Sequence, residues 1–355
     1  INQMDEEILV SETELLQNGH DLTEVQITEC VDHLTSEKIR PLQKKSFLTA
    51  LAKKGESPKE FSSFVHEFRK RAINPGLEDF ADSAIDLCGT GGDQAGSFNI
   101  STFVSFMVAA AGVPVIKHGN RSISSSCGSA DLLEAIGIPL HASPEKIRLG
   151  LEELNFAFLF APNYHPAFKN IAPVRKLLAQ EGIVTIFNLL GPTLNPARPA
   201  HQLLGVFDQQ YLTPIGNALQ ENGTAHGMIV HGLIANGPIK GVDELTACGE
   251  NAVYGYGRIK TNGTEIWSPS KWNQDTFDFH HLEGGNLEGN VRIMNSALKV
   301  DCSPGLLATI LINAASAFTL CGKVESLEEG IALSHSLLKN GQVRKWLEKV
   351  KNIFA

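Results

Sequence analysis

Apolar positions in residues 1–80 recur at helical spacing. In "DLTEVQITECVDHLTS", Thr23 stands as an N-cap, and Ile27, Val31 and Leu34 fall on one side of the helix that follows. "KKSFLTALAKKGES" predicts a second amphipathic helix closed by Gly55. "SPKEFSSFVHEFRKRAI" opens with Ser57 as N-cap, Pro58 at the first helical position and Glu60 at the third. "NPGLEDF" reads as a linker, and no strand is expected before it.

After Ser83 the pattern changes. Short β-rich runs ("AIDLCG", "VPVIKHG", "AFLFAP", "HQLLGVFD", "HGMIVHG") alternate with helical patterns ("SADLLEAIG", "SPEKIRLGLEEL", "HPAFKNIAPVRKLLAQEG"). From Pro304 onward the chain reads as two or three helices. Strands alternating with helices predict an α/β fold with a largely parallel sheet. The expected organisation is a small all-helical domain over residues 1–80, joined by a returning segment near 175–200, and a larger α/β domain over 81–355.

Ligands in such sheets bind beyond the carboxyl ends of the strands. Five unusual loops fall at such ends: "GTGGDQAGS", "KHGNRSISSSCGS", "FAPNYHP", "NLLGPTLNP" and "HGLIANGPIKGVDEL". The first lies in "DLCGTGGDQAGSFNIST", where four glycines separate a buried strand from a helix. Glycine there permits positive φ and close approach of a ligand to the backbone, and a Cβ at Gly92 is expected to find no room. Free N–H groups beside a helix N-terminus make an anion site. A ligand-free turn would also account for glycine alone. The second loop supplies donors from Lys117, His118, Asn120 and Arg121, and hydroxyls from Ser124, Ser125 and Ser129.

The chain has 355 residues and a net charge of −9, a bulk balance that argues against a nucleic-acid binder. Six cysteines are scattered without a C-x-x-C pair, so neither a zinc site nor a disulfide framework is expected, and reduced cytoplasmic thiols are the simplest reading. No apolar run approaches the ~20 residues of a membrane span. The acidic start, "INQMDEEILV", has no signal-peptide plan.

"GTGGD…FNIST", "KHGNR…SS..GSAD", "FAP..HPAFK…PVR", "TIFNLLGPTLNP" and "GVDE" follow one another in the order and approximate spacing of anthranilate phosphoribosyltransferases. The resemblance runs over nearly the whole chain. It implies a nucleoside phosphorylase/phosphoribosyltransferase-like fold, a homodimer formed through the helical domain, and transfer of phosphoribose from phosphoribosyl pyrophosphate (PRPP) to anthranilate in tryptophan biosynthesis. It places Gly89, Gly92, Asp93 and Ser97 along the diphosphate loop. Asn99, Ile100, Ser101 and Thr102 would hold phosphate. Lys117, His118, Gly119, Asn120, Arg121, Ser124, Ser125 and Ser129 would close over PRPP. Gly89, Asn120 and Arg175 would contact anthranilate, with His165 and Pro192 on its access path. Ser101, Asp243 and Glu244 would hold Mg²⁺, expected as two ions completed by the substrate's diphosphate. Among these, Lys117, Asn120 and Arg175 are the best catalytic candidates, acting by charge and positioning.

Taken alone, Arg175 reads as a surface arginine, His118 and His165 as structural hydrogen-bonders, and Asp243 with Glu244 as an acidic turn. Three departures touch the acceptor side. Gln94 stands where glycine is frequent, Val184 replaces a common arginine, and the stretches near 178–184 and 232–241 are longer than usual. A paralogue using another aromatic amine, a pyrimidine nucleoside phosphorylase and a non-catalytic nucleic-acid-binding relative are the alternatives.

Overall fold

The computed structural model describes residues 9–121, 127–234 and 239–354. Ser124 and Ser125 lie outside the described residues. The N-terminal part is helical throughout: Val10–Gln17, Glu24–Thr35, Pro41–Lys54 and Pro58–Lys70. Two of the expected starts form reciprocal caps. Thr23 accepts from the Gln26 N–H while the Gln26 side chain takes the Thr23 N–H, and Ser57 and Glu60 do the same. The first helix, Val10–Gln17, escaped the sequence pattern because its apolar residues make no continuous stripe; Leu16 is its one buried side chain. The "NPGLEDF" linker contains one short helical turn, Glu78–Ala81.

Among the described residues, eight strands form one sheet: β1 (Ile85–Gly89), β2 (Val115–Gly119), β3 (Phe156–Phe160), β4 (His201–Gly205), β5 (His226–Leu233), β6 (Gly241–Val242), β7 (Asn251–Tyr256) and β8 (Glu265–Trp267). Their order is β3-β2-β1-β4-β5-β7-β8, with β6 also on β5. β1 to β5 are mutually parallel; β6, β7 and β8 are antiparallel additions that the apolar runs did not announce. The sequence of strands reverses direction across β1 and β4, which places a crevice at the carboxyl ends of the central strands.

One core lies between the sheet and the helices Ile100–Ala110, Pro304–Leu320, Leu327–Lys339 and Gln342–Phe354. A second joins the N-terminal helices to Ile171, Val174, Leu178, Phe187 and Leu190, to the strand residues Leu204 and Ile229, and to Val206 just past β4. Residues 171–190 thus share a core with the N-terminal helices. Arg69 crosses the same boundary. It is buried, and its Nε donates to the Thr193 carbonyl (2.6 Å) and its Nη1 to that of Asn222 (2.9 Å). None of the six cysteines is in a disulfide. Among the described residues, no helix is long and apolar enough to cross a membrane.

Candidate active site

The glycine loop leaves β1 at its carboxyl end. Gly91, Gly92 and Gly96 have φ of 66°, 83° and 65°, so the turn uses conformations that glycine adopts without steric cost. Gln94 lies between them at φ 54°, a left-handed position held without glycine's freedom. A Cβ built on Gly92 finds protein only at Phe207 Cδ1, 3.9 Å away, so the protein itself leaves room there, contrary to the sequence expectation. Close approach is instead the property of Gly89 and Gly205, register partners on β1 and β4. A Cβ on Gly89 would collide with the Asp243 carboxylate, and one on Gly205 with the Asp243 backbone. The two glycines make the space into which the Asp243–Glu244 turn descends.

That turn meets both ends of the loop. The Gly91 N–H donates to Asp243 Oδ2 (2.7 Å), and the Ser101 N–H at the start of helix Ile100–Ala110 donates to Glu244 Oε1 (3.0 Å). Asp93 lies beside them, its Oδ2 accepting from the Asp243 N–H at 3.4 Å. Asp243 and Glu244 each keep a partly exposed edge, yet they are packed deeply. Burial, followed by the charges of Asp93 and Glu244, holds Asp243 well above the usual carboxylate range. Burial also pushes Glu244 up to about 7, against the opposing pull of Lys117. Thr102 is buried, and its Oγ1 has no hydrogen-bond partner among the described residues.

Lys117, on β2, is 2% exposed. Its Nζ donates to the Leu87 carbonyl and reaches Ser101 Oγ at 3.4 Å, so it ties β2, β1 and the helix start together. Beneath it, Asp86 is fully buried on β1. Asn195 Nδ2 donates to its Oδ2 (2.9 Å), and burial raises its carboxyl to about 6 despite the nearby Lys117 charge. Gly119 ends β2 close to Ser129, whose Oγ would stand 3.0 Å from a Cβ there. Ser129 also donates to the Asn120 carbonyl (3.5 Å), and Asn120 is exposed. Arg121 is exposed. It pairs with Asp131 (2.6 Å) and Glu134 (2.9 Å) on the following helix, exposed contacts of little strength. Ser97 forms an isolated antiparallel bridge with Glu283.

On the expected acceptor side, a chain of ring contacts leads inward from Arg175. Its guanidinium lies 5.6 Å from the Phe187 ring; Phe187 meets Phe168 at 5.6 Å, Phe168 meets His165 at 5.6 Å, and His165 meets His118 at 5.0 Å. The two histidines face each other Nε2 to Nε2 at 3.1 Å. Burial depresses both, His118 well below its ordinary value and His165 to about 4, so both imidazoles are neutral near pH 7. Their rings also meet the backbone of Gly191 and Leu194, on either side of buried Pro192. Arg175 is half-buried and donates weakly to the Phe187 carbonyl (3.4 Å). Val184 is 50% exposed, so this departure lies on the surface. Residues 235–238 of the other long stretch fall outside the described residues.

One residue beneath the site went unnoticed in the sequence although it carried a signal: Asp86, a lone charge inside the apolar run "AIDLCG".

The fold and the loop cluster have known relatives. A family described as "Glycosyl transferase family, helical bundle domain" matches residues 13–72, and "Glycosyl transferase family, a/b domain" matches residues 81–344. The architecture is thus that of a two-part glycosyl transferase. The chain is 37% identical to the anthranilate phosphoribosyltransferase of Petrotoga mobilis over 332 residues, covering 94% of this chain and 93% of that one. It is 38% identical to the Methanobrevibacter smithii enzyme of the same name, covering 94% and 95%. The crystal structure of anthranilate phosphoribosyltransferase from Thermus thermophilus superposes with a TM-score of 0.85 at 36% identity, covering 96% of this chain and 98% of that one. The Saccharomyces cerevisiae enzyme in complex with PRPP and Mg shares the fold, with a TM-score of 0.82 at 23% identity and 99% coverage of both chains. The chain belongs to the anthranilate phosphoribosyltransferase family.

Proposed function

We propose that the protein transfers the phosphoribosyl group of PRPP to the amine of anthranilate, giving N-(5-phosphoribosyl)anthranilate and pyrophosphate, a step of tryptophan biosynthesis. The observation that carries the reading is the meeting of three segments at one sheet edge: the glycine loop, the start of helix Ile100–Ala110 and the Asp243–Glu244 turn.

Backbone N–H groups of the glycine loop and of the helix start would take the donor's phosphates, together with the unpartnered Thr102 hydroxyl. Asp93, Asp243 and Glu244 crowd three carboxylates with a serine hydroxyl nearby, an all-oxygen set suited to Mg²⁺. Among the described residues, no group of three or more His, Cys, Asp or Glu side chains is arranged to hold a metal by itself, and the diphosphate would complete the coordination. Ser101, Asp243 and Glu244 would hold the ions, two in number. Bound Mg²⁺ would offset the charge that develops on departing pyrophosphate.

The chain's own residues supply the rest. Lys117 holds the helix start against β1 and adds positive charge beneath the phosphate end. Arg175 offers a planar fork to the acceptor's carboxylate. The aromatic amine is already unprotonated at neutral pH, so the neutral His118–His165 pair shapes the passage and no strong base is required. We also propose a homodimer through the helical bundle, which displays Val25 at 69% and Leu42 at 72% exposure, and a cytoplasmic location, supported by cysteines outside any disulfide.

The test is to incubate the protein with PRPP, Mg²⁺ and anthranilate and follow anthranilate fluorescence. Loss of signal that requires all three supports the reading. A constant signal with anthranilate, alongside consumption of another aromatic amine, would replace the acceptor and leave the donor.

A further inference from the structure

Residues 282–290, "LEGGNLEGN", lie far along the chain from the glycine loop yet grip its far end. The Phe98 N–H donates to the Leu282 carbonyl (2.8 Å), and the Gly284 N–H donates to the Gly96 carbonyl (2.9 Å). Between these bonds, Ser97 and Glu283 stand as antiparallel partners. Gly284 permits the contact: a Cβ there would lie 2.7 Å from the Ser97 carbonyl oxygen and 2.8 Å from the Phe98 nitrogen. The segment then turns into helix Leu287–Ala297, capped by Asn286 Oδ1 on the Gly289 N–H (2.9 Å).

The first turn of that helix carries Asn290, 1% exposed. Its Nδ2 donates to the carbonyls of Gly285 (2.9 Å) and Asn286 (3.1 Å), which fixes its amide with the oxygen turned the other way. That oxygen accepts twice from one residue: the backbone N–H of Asn99 (3.2 Å) and Asn99 Nδ2 (3.1 Å). Asn99 stands at φ −71°, ψ 71°, and its side chain makes no capping bond to its own helix. Its position is therefore set from outside, by Asn290 and by the Cys127 carbonyl, which also accepts from Asn99 Nδ2 (3.3 Å). A buried amide whose donors and acceptor are all engaged holds its partner in one geometry.

We propose that Asn290 is a positioning residue for the donor. It holds Asn99, and with it the turn Asn99–Thr102, in the arrangement that receives the phosphoribosyl end of PRPP, and the 282–290 strap keeps the loop and this turn in register. The inference rests on the donor reading given above. Replacing Asn290 removes no group that touches substrate. It frees Asn99 and leaves its N–H without a partner.

The experiment is calorimetric titration of PRPP with Mg²⁺ into wild type, Asn290→Ala and Gly284→Ala, beside steady-state KM values for both substrates. The two variants break the strap in different ways, so the second stands if the first does not fold. In each, the PRPP dissociation constant should rise 10- to 100-fold while the anthranilate KM stays within twofold. Donor affinity within twofold of wild type in both variants overturns the proposal. So does an equal rise in both KM values, the mark of a general structural role. Wild-type protein that binds no PRPP overturns the donor reading itself, and the strap with it.

Discussion

The backbone N–H of Gly91 donates to Asp243 Oδ2 across 2.7 Å, joining the first turn after β1 to a turn 152 residues further along the chain. This bond fixes the acidic turn against the glycine loop. It exists because Gly89 and Gly205 lack a Cβ where Asp243 enters.

Gly89→Ala should therefore act through Asp243. The added methyl collides with that carboxylate, and an overpacked contact of this kind costs about 1–3 kcal/mol. We expect kcat/KM to fall at least 100-fold and thermal stability to drop. Gly92→Ala meets only Phe207 at 3.9 Å, so its cost is the positive φ, about 1–2 kcal/mol. Its larger effect should be on the KM for PRPP, as the methyl enters the open space above the loop. Steady-state kinetics and melting curves of the pair check the contrast. Unaltered donor affinity in Gly92→Ala would make the loop a ligand-free turn.

Asp86 predicts a pH effect. Burial pushes its carboxyl up to about 6 in the folded protein, against about 3.9 for an exposed aspartate in the unfolded chain. The folded state thus binds this proton more tightly, and stability falls as pH rises from about 4 to about 6, then levels. The span is on the order of 3 kcal/mol. Asp86→Asn should abolish this slope, so chemical denaturation of wild type and variant at several pH values should show a difference that changes between pH 4 and 6 and is constant above. A difference independent of pH would place the Asp86 titration elsewhere.

Arg175→Ala should weaken the acceptor and spare the donor. Loss of a charge-assisted pair whose partner stays buried costs about 2–5 kcal/mol, so the KM for anthranilate should rise 30-fold or more. The KM for PRPP should move less than threefold. If neither constant changes, the guanidinium belongs to Phe187 alone.

Much of the fold could be read from local pattern. Thr23 and Ser57 start their helices through reciprocal caps, and the five apolar runs after Ser83 became the five parallel strands. These features depend on neighbours in sequence. β7 and β8 did not show in the apolar runs, because partly exposed Tyr254 and exposed Ile266 interrupt their burial and β8 is only three residues long. In the site, the loops were legible from glycines and hydroxyls that no core requires. The open space at Gly92, the service of Gly89 and Gly205 to Asp243, and the hold of Asn290 on Asn99 arise from contacts between distant segments, which single residues do not announce.

On the proposed function, the glycine loop and the Asp243–Glu244 turn together receive PRPP with Mg²⁺. The most direct measurement is calorimetric titration of PRPP into wild type and into Asp243→Asn/Glu244→Gln, each with and without Mg²⁺. Wild type should bind PRPP tightly only with Mg²⁺, while the double variant should bind weakly and without regard to Mg²⁺, with its circular dichroism spectrum intact. A folded double variant that binds PRPP in the same Mg²⁺-dependent way, and turns over at the wild-type rate, would rule out this role for the two carboxylates.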